Sequence, residues 1–219
     1  MTNAHLHVAI TGATGLIGSA LSRRLVTGGY RVSRLVRRPA GSGEISWDPA
    51  AGYLRPGDLE GVDVVVHLAG ENVGARWTPE RKARIRDSRV HGTRLLSETI
   101  ARMRRQPAVL ISASAVGIYG GRGEEIVTEN TPAGDASSDF LARVGQEWEA
   151  AADPARAAGV RVVHPRFGLV LSPAGGALKK MLLPFRLGLG GRLGGGDQWM
   201  SWVSIDDTVG AILHALMTD

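Results

Sequence analysis

Residues 5–18 read HLHVAITGATGLIG, and they join a short apolar run to a cluster of glycines. The apolar run is typical of a buried strand, whereas residues 16–27 carry apolar side chains at helical spacing. Gly12, Gly15 and Gly18 lie between the two with GxxGxxG spacing. A strand, a glycine-rich turn and a helix in this order form the start of a βαβ unit in which a dinucleotide binds.

Each of the three glycines has a separate physical role in such a turn. Gly12 permits the sharp turn out of the strand, Gly15 lets a pyrophosphate approach the backbone, and Gly18 lets the helix pack against the strand. The N-terminus of the helix then offers free N–H groups and the positive end of its dipole to the phosphates. The alternative is a glycine turn that binds no ligand.

The end of the second predicted strand, Val36-Arg37-Arg38, bears on the choice of cofactor. In this fold an Asp or Glu about 20 residues after the turn usually binds the adenosine ribose. No acidic residue occurs between Gly12 and Glu44, and two adjacent guanidiniums suit a ribose 2′-phosphate. The pattern therefore predicts NADP(H) rather than NAD(H). The alternative is that Arg37 and Arg38 are both solvated.

Further strand-like runs alternate with helical ones, which predicts an α/β fold with a doubly wound parallel sheet. The predicted strands are residues 31–36, 62–69, 108–113, 160–165 and 202–205, and the later predicted helices are residues 78–105, 139–152 and 206–217. Residues 45–59 contain turn signals and predict a short irregular element. Glycine pairs become frequent after residue 172. We therefore expect a dinucleotide-binding domain over residues 1–171 and a smaller substrate-side flap over residues 172–219.

The composition excludes several classes of site. The 219 residues include no cysteine, which excludes disulfides, thiolate zinc sites and cysteine nucleophiles. The histidines are scattered, so we predict no metal site. No apolar run reaches the roughly 18 residues of a membrane span, and no signal peptide is visible. We therefore expect a cytoplasmic protein without a membrane partner.

The net charge of +5 comes mainly from arginine, since the chain has only three lysines. Such a balance can indicate nucleic-acid binding. The most basic segment, residues 81–89, has five basic residues and one aspartate, but no aromatic side chain that could stack on bases. We therefore expect solvated helix faces and no nucleic-acid partner.

Longer motifs occur along the rest of the chain. They are HLAGEN at 67–72, RWT at 76–78, ISASAVGIYG at 111–120, WE at 148–149, LLPFRLGLGG at 182–191 and WVSIDD at 202–207. Together they resemble the extended and atypical short-chain dehydrogenases/reductases, and within them the NAD-dependent epimerase/dehydratase-like proteins of the "epimerase family". The resemblance covers nearly the whole chain. It implies a Rossmann-type fold and an NADP(H)-dependent oxidoreductase or nucleotide-sugar epimerase-like enzyme, with hydride transfer at a hydroxyl or carbonyl carbon of a small molecule such as a sugar nucleotide.

The resemblance also implies which residues contact the cofactor. The pyrophosphate would contact Gly12, Thr14, Gly15, Leu16 and Ile17, and the 2′-phosphate would contact Arg37 with Arg38. The adenosine side would be lined by Leu68, Ala69 and Gly70, and Glu71 and Arg89 would lie close to the cofactor. The nicotinamide side would be formed by Pro165 to Val170.

The catalytic pattern of the superfamily, a Tyr-x-x-x-Lys pair with a Ser or Thr, is incomplete here. Arginine or glycine, never lysine, lies four residues after each tyrosine, and the helix predicted at 139–152 contains neither tyrosine nor lysine. Ser114 and Tyr119 remain the catalytic candidates. By resemblance Ser114 would bond a substrate carbonyl, and Tyr119 would either donate a proton or only form a wall of the pocket. The missing pair keeps open a second hypothesis, a non-catalytic NADP(H)-binding sensor or scaffold.

Five further residues have competing interpretations. His67 lies in an apolar run, which favours a core histidine over a ligand. Asp206 and Asp207 resemble a carboxylate pair, but their place at the start of a helix favours capping. Trp199 and Trp202 would either stack on a planar or sugar ring or form a small apolar core.

Two expectations about the whole protein come from the resemblance alone. Relatives continue beyond residue 219, so we expect the C-terminal substrate subdomain to be incomplete. Members of the superfamily often dimerise through helices equivalent to residues 78–105, which makes a homodimer a hypothesis for this chain.

Overall fold

The structure, a computed structural model, describes residues 6–192 and 194–218. Its strands are β1 (His7–Thr11), β2 (Arg31–Val36), β3 (Glu44–Ser46), β4 (Val64–His67), β5 (Val109–Ser112), β6 (Ser114–Ala115), β7 (Arg161–Val163), β8 (Arg166–Phe167), β9 (Leu169–Leu171) and β10 (Trp202–Ser204). Its helices are α1 (Leu16–Thr27), α2 (Pro79–Ala101), α3 (Phe140–Ala150), α4 (Asp153–Ala157), α5 (Gly176–Arg186) and α6 (Ile205–Met217), with 3-10 helices at Pro56–Leu59 and Val116–Tyr119.

Six parallel strands form the central sheet in the order β3-β2-β1-β4-β5-β7. In β1, Val8 lies opposite Val32 of β2 on one side and Val64 of β4 on the other. The chain first moves outward from β1 to β3 and then in the other direction from β4 to β7. Ligands of such sheets bind at the C-terminal strand ends beside this reversal, between β1 and β4. The predicted doubly wound, Rossmann-type fold is confirmed.

Helices cover both faces of the central sheet. Val8 of β1 belongs to one core cluster with Leu21 of α1 and Ile212 of α6. Its neighbour Ala9 packs on the opposite face, in a cluster that includes Ile100 of α2. Successive residues of a strand point to opposite faces, so a strand that is covered on both sides favours apolar residues at consecutive positions, as at residues 8–10, 64–66 and 109–111. This explains the uninterrupted apolar runs in the sequence.

Two elements differ from the sequence predictions. An irregular element was expected over residues 45–59, but this region begins with β3, an edge strand of only three residues that pairs with β2. Such a short strand has too little pattern to be recognised. The second difference concerns α6, whose N-cap is Ser204: its Oγ accepts a hydrogen bond of 3.0 Å from the N–H of Asp207. Asp206 and Asp207 lie in the first turn, where acidic residues suit the helix dipole, but they are not the cap.

The residues after 172 form α5, β10 and α6, which follow the central sheet in the chain. β10 pairs in parallel with β9, and α6 contacts α1. α5 exposes large apolar side chains, among them Leu183 and Phe185. The division of the chain at residue 172 stays a prediction. Over the two described ranges, no helix is both long enough and apolar enough to cross a membrane.

Candidate cofactor and substrate site

The glycine turn, residues 11–18, has no room for a side chain at Gly12 or Gly18 and little room at Gly15, where a Cβ would be 3.2 Å from the carbonyl oxygen of Gly12. Gly12 has a φ of +67°, and a Cβ on it would lie 2.8 Å from the backbone carbon of Leu68. The N–H of Gly15 donates to the carbonyl of Gly12 at 2.9 Å. A Cβ on Gly18 would collide with that same carbonyl oxygen. The three glycines therefore let β1, α1 and the end of β4 approach one another.

The N-terminus of α1 is open in the way an anion site requires. Its N-cap is Gly15, no side chain caps the first turn, and no acidic residue lies there. Ile17 packs against the core, whereas Thr14 is exposed, so its hydroxyl and the backbone N–H groups of the first turn are the donors available at this point. Leu16 lies close to the turn before α5, because a Cβ on Gly175 would be 3.1 Å from its Cδ1. This cradle fits the pyrophosphate of a dinucleotide.

Thr11 connects the glycine turn to the loop that follows β4. Its hydroxyl oxygen accepts hydrogen bonds of 3.1 Å from the N–H groups of both Leu68 and Ala69. It also lies 2.7 Å from Nδ1 of His67, so its own proton is directed at that nitrogen. His67 is fully buried, and burial lowers its pKa to about 4, which keeps the ring neutral. His67 is a core residue, as expected, but its Nε2 has no hydrogen-bond partner in the described part of the chain. The sequence analysis missed Thr11.

The side chain of Arg89 also holds the loop that follows β4. Its Nη1 donates to the carbonyls of Glu71 and Ile85, both at 3.1 Å, and its guanidinium lies 5.0 Å from the ring centre of Trp148. A Cβ on Gly70 would be 3.3 Å from Cζ of Arg89. Burial lowers the pKa of Arg89. The structure therefore brings Gly70, Glu71 and Arg89 together, and their expected place close to the cofactor stays a prediction.

The two arginines after β2 are not equivalent. Arg38 donates two hydrogen bonds to the carboxylate of Glu44, at 2.7 and 2.8 Å, and the N–H of Gly41 donates a third at 3.0 Å. The Arg38 guanidinium is the main cause that lowers the pKa of Glu44. Arg37 is exposed, and it has no hydrogen bond or ion pair to any residue in the described ranges. Arg37 is thus the guanidinium available to an added anion.

The serine–tyrosine cluster, which consists of Ser114, Tyr119, Glu149 and Arg166, lies beyond the end of β5. The Oγ of Ser114 donates to Glu149 at 2.6 Å, and its N–H donates to the carbonyl of Pro165 at 2.9 Å. Arg166 binds both oxygens of Glu149, each at 2.8 Å. Its Nη1 donates to the Tyr119 hydroxyl, also at 2.8 Å, and its Cζ lies 5.1 Å from the tyrosine ring centre.

The charges of this cluster stabilise each other. Burial alone would raise the pKa of Glu149, but hydrogen bonds from Arg166 and Ser114 outweigh it and lower the pKa. The same contact with Glu149 raises the pKa of Arg166. Both groups are therefore ionised at neutral pH. The sequence analysis predicted Ser114 and Tyr119 but gave no individual role to Glu149 or Arg166; only their places in the WE motif at 148–149 and in the 165–170 stretch could have pointed to them.

A cleft of about 1220 Å³ opens beside the cluster. It is lined by Tyr119, Arg166 and Trp199, among others. Trp199 and Trp202 are 75% and 64% exposed, so they form no apolar core with the described residues. Val170, expected on the nicotinamide side, lies in β9 opposite Val203 of β10.

The chain is similar to several known proteins. Residues 8–219 match the model of the NAD-dependent epimerase/dehydratase family. An epimerase family protein of Mycobacterium bovis is 47% identical over 211 residues, which are 95% of this chain and 68% of that protein. The protein YfhF of Bacillus subtilis, also named an epimerase family protein, is 35% identical over 96% of this chain and 70% of its own length.

Two crystal structures share both fold and sequence with the chain. Human epimerase family protein SDR39U1 (isoform 2), solved with NADPH, has a TM-score of 0.83 and 35% identity, over 97% of this chain and 70% of that one. The nucleoside-diphosphate sugar epimerase of Corynebacterium glutamicum has a TM-score of 0.84 and 44% identity. That match covers 96% of this chain, which spans only 43% of the Corynebacterium chain. The chain belongs to the NAD-dependent epimerase/dehydratase family, which binds a nicotinamide dinucleotide.

Proposed function

We propose that this chain binds NADP(H) at the glycine turn and is part of an oxidoreductase or nucleotide-sugar epimerase-like enzyme. The observation that carries the proposal is the combination of Gly12, Gly15 and Gly18 with an uncapped helix N-terminus, which fits a pyrophosphate. When bound, the cofactor supplies hydride transfer at its nicotinamide ring.

The residues around the turn would bind and orient the cofactor. The backbone of Thr14, Leu16 and Ile17 would meet the pyrophosphate. Leu68, Ala69 and Gly70 would line the adenosine side, held in place by Thr11 and by the Arg89 contact with Glu71. Pro165 and Val170 would lie toward the nicotinamide.

The preference for NADP(H) over NAD(H) rests on Arg37. This exposed guanidinium follows β2, where the ribose of a dinucleotide lies in this fold. The carboxylate of Glu44 already neutralises Arg38, so Arg37 would make the main contact with the 2′-phosphate. The human relative solved with NADPH supports this preference.

The substrate would be a small molecule bound in the cleft beside Tyr119. Because the Corynebacterium relative is named a nucleoside-diphosphate sugar epimerase, a nucleoside-diphosphate sugar is the first substrate class to test. Ser114 and Tyr119 would make hydrogen bonds to the polar groups around the carbon that carries the hydroxyl or carbonyl group. A second candidate function, a non-catalytic NADP(H) sensor, is favoured by the absence of a Tyr-x-x-x-Lys pair.

Titration calorimetry with NADPH and NADH tests the cofactor proposal. We expect NADPH to bind more tightly, and Arg37→Ala to weaken NADPH by about tenfold without changing NADH, because one charge-assisted contact is lost. Arg31→Ala, at the other end of β2, is the control and should leave both affinities unchanged. Equal affinities for NADPH and NADH in the unmodified chain would contradict the preference.

A substrate screen separates the enzyme from the sensor. A version extended to the length of the relatives is supplied with NADPH and either sugar nucleotides or small carbonyl compounds, and oxidation of the cofactor is followed. Turnover that Ser114→Ala abolishes supports the enzyme. Tight NADPH binding without turnover on any compound supports the sensor.

A further inference from the structure

We propose that the Glu149–Arg166 pair fixes the direction of two hydrogen bonds, so that Ser114 presents only acceptors to a substrate and Tyr119 presents its proton. Arg166 would then take the place of the lysine of the usual catalytic pair. The group that Ser114 recognises is a hydroxyl or another donor, not a carbonyl. This inference rests on the proposed function and assigns roles within the same site.

The hydroxyl group of Ser114 has only one proton to donate. A serine hydroxyl has one proton and two lone pairs, and an ionised carboxylate can only accept. The 2.6 Å bond between Oγ of Ser114 and Glu149 therefore consumes the serine proton. The distance lies within the range of about 2.5–2.7 Å for a hydroxyl that donates to a carboxylate. Only lone pairs remain on Ser114 for a ligand.

Tyr119 has the opposite role in its hydrogen bond, because its hydroxyl oxygen accepts. A guanidinium has donors but no acceptor, so the 2.8 Å bond from Nη1 of Arg166 uses a lone pair of the phenol oxygen. Within residues 6–192 and 194–218, the hydroxyl of Tyr119 donates to no protein acceptor. Tyr119 also lines the cleft. Its proton is thus free for an acceptor on a bound substrate.

Ser112 lies in the same motif as Ser114, and it shows that the motif alone does not fix the direction of the hydrogen bond that Ser114 donates. Ser112 and Ser114 are both buried, and only one residue separates them. The Oγ of Ser112 has no hydrogen-bond partner in the part of the chain that the structure describes. The difference between the two serines is Glu149, which α3 places beside Ser114 alone.

The proposed proton transfer is balanced. The O–H bond of Tyr119 breaks and an O–H bond forms on the substrate oxygen, while the electron pair stays on the phenolate beside Arg166. The substrate carbon would accept a hydride from the bound reduced cofactor to form a C–H bond, and the electron pair of the broken C=O π bond would form the O–H bond with the Tyr119 proton. Arg166 and Glu149 are positioning residues, because they act through Tyr119 and Ser114.

The chain offers a clean test because it contains no cysteine. Ser114→Cys introduces a single thiol, which is labelled with ¹³C at Cβ and titrated by NMR from pH 6 upward. If Glu149 accepts the proton at this position, Glu149→Gln in the same chain should lower the midpoint by at least about one pH unit, a tenfold change in proton affinity. Ser112→Cys, with and without Glu149→Gln, is the matched control and should change far less. An unchanged or raised midpoint at position 114 overturns the proposal.

A second measurement covers Tyr119 and does not depend on the thiol variants. The chain has three tyrosines, so Tyr119→Phe identifies the ¹³Cζ signal of Tyr119. Arg166→Met should move this signal, and Arg166→Lys should restore part of the change. An identical signal in the unmodified chain and in Arg166→Met overturns the proposal.

Calorimetry on the same samples separates this inference from the proposed function. We expect Glu149→Gln to bind NADPH with unchanged affinity, since Glu149 touches no residue of the glycine turn. Failure of the unmodified chain to bind NADPH would overturn the proposed function, whereas the two NMR results would still decide the hydrogen-bond directions.

Discussion

The glycine turn and the serine–tyrosine cluster are two halves of one site, but they are built in opposite ways. The turn is contiguous in sequence, and it is defined by missing side chains: a Cβ on Gly12 or Gly18 would meet backbone atoms. The cluster joins side chains from β6, α3, β8 and a 3-10 helix, and it is defined by charge. The turn should therefore be sensitive to added atoms, and the cluster to a lost partner and to pH.

The largest effect is expected where an added atom has no room. Gly18→Ala places a methyl group against the carbonyl of Gly12, a backbone atom that cannot move away without opening the turn. We expect the free energy of unfolding to fall by about 3 kcal/mol, measured by urea denaturation. NADPH binding should weaken by more than about 100-fold, since the turn would lose its shape.

Gly210 is the control for this change. It also lies in a helix, α6, but a Cβ there would have no neighbour within 4 Å. Gly210→Ala should stabilise the protein by about 0.5–1 kcal/mol, because alanine loses less conformational freedom than glycine. Equal losses at Gly18 and Gly210 would show that space is not what constrains the turn.

Thr11→Val tests whether any side chain matters to the turn. Valine keeps the shape of threonine but removes the oxygen that accepts from the N–H groups of Leu68 and Ala69. We expect a loss of about 2 kcal/mol in the free energy of unfolding, because buried donors are left without a full set of partners. Thr11→Ser keeps the oxygen and should lose less than half as much. If Thr11→Val is neutral, the turn depends on its backbone alone.

Arg166→Met tests the cluster through its charge. It leaves Glu149 half-buried without its main partner, so at pH 7 we expect a loss of about 2 kcal/mol, less than for a fully buried pair. The pKa of Glu149 is lowered in the folded protein, so the contribution of the pair is complete above the unfolded value and disappears as the pH falls through the folded one. The stabilities of the two proteins should therefore converge only when the pH falls below the lowered folded pKa of Glu149, which lies under the ordinary value for a glutamate.

A second arginine–glutamate pair, whose glutamate also lies on α3, is the control. Arg86 of α2 binds Glu147, but the side chains of the pair are more exposed than those of Arg166 and Glu149. Arg86→Met should cause a smaller loss with a weaker dependence on pH, since exposed pairs are screened by solvent. A pH-independent loss in Arg166→Met would mean that packing, not charge, holds the cluster together.

The same contrast explains which parts could be predicted from the sequence. Gly12, Gly15 and Gly18 reveal the turn because their spacing is local and their reasons are steric. The apolar runs revealed β1 and β4 because two-sided burial favours apolar side chains at successive positions, here residues 8–10 and 64–66. Glu149 and Arg166 were missed because nothing in the sequence near Ser114 shows which charges the fold will place beside it.

The smallest effect is expected at Glu44 of β3, which binds Arg38 after β2. Glu44→Gln removes the carboxylate that holds Arg38, so a second guanidinium becomes available beside Arg37. If Arg37 meets the 2′-phosphate, NADPH should bind about threefold more tightly and NADH should be unchanged, because only NADPH carries that phosphate. The gain should disappear in high salt, which screens exposed charges. Calorimetry at two salt concentrations measures both effects, and a gain for NADH of equal size would mean that Glu44 acts on the shape of the loop and not on its charge.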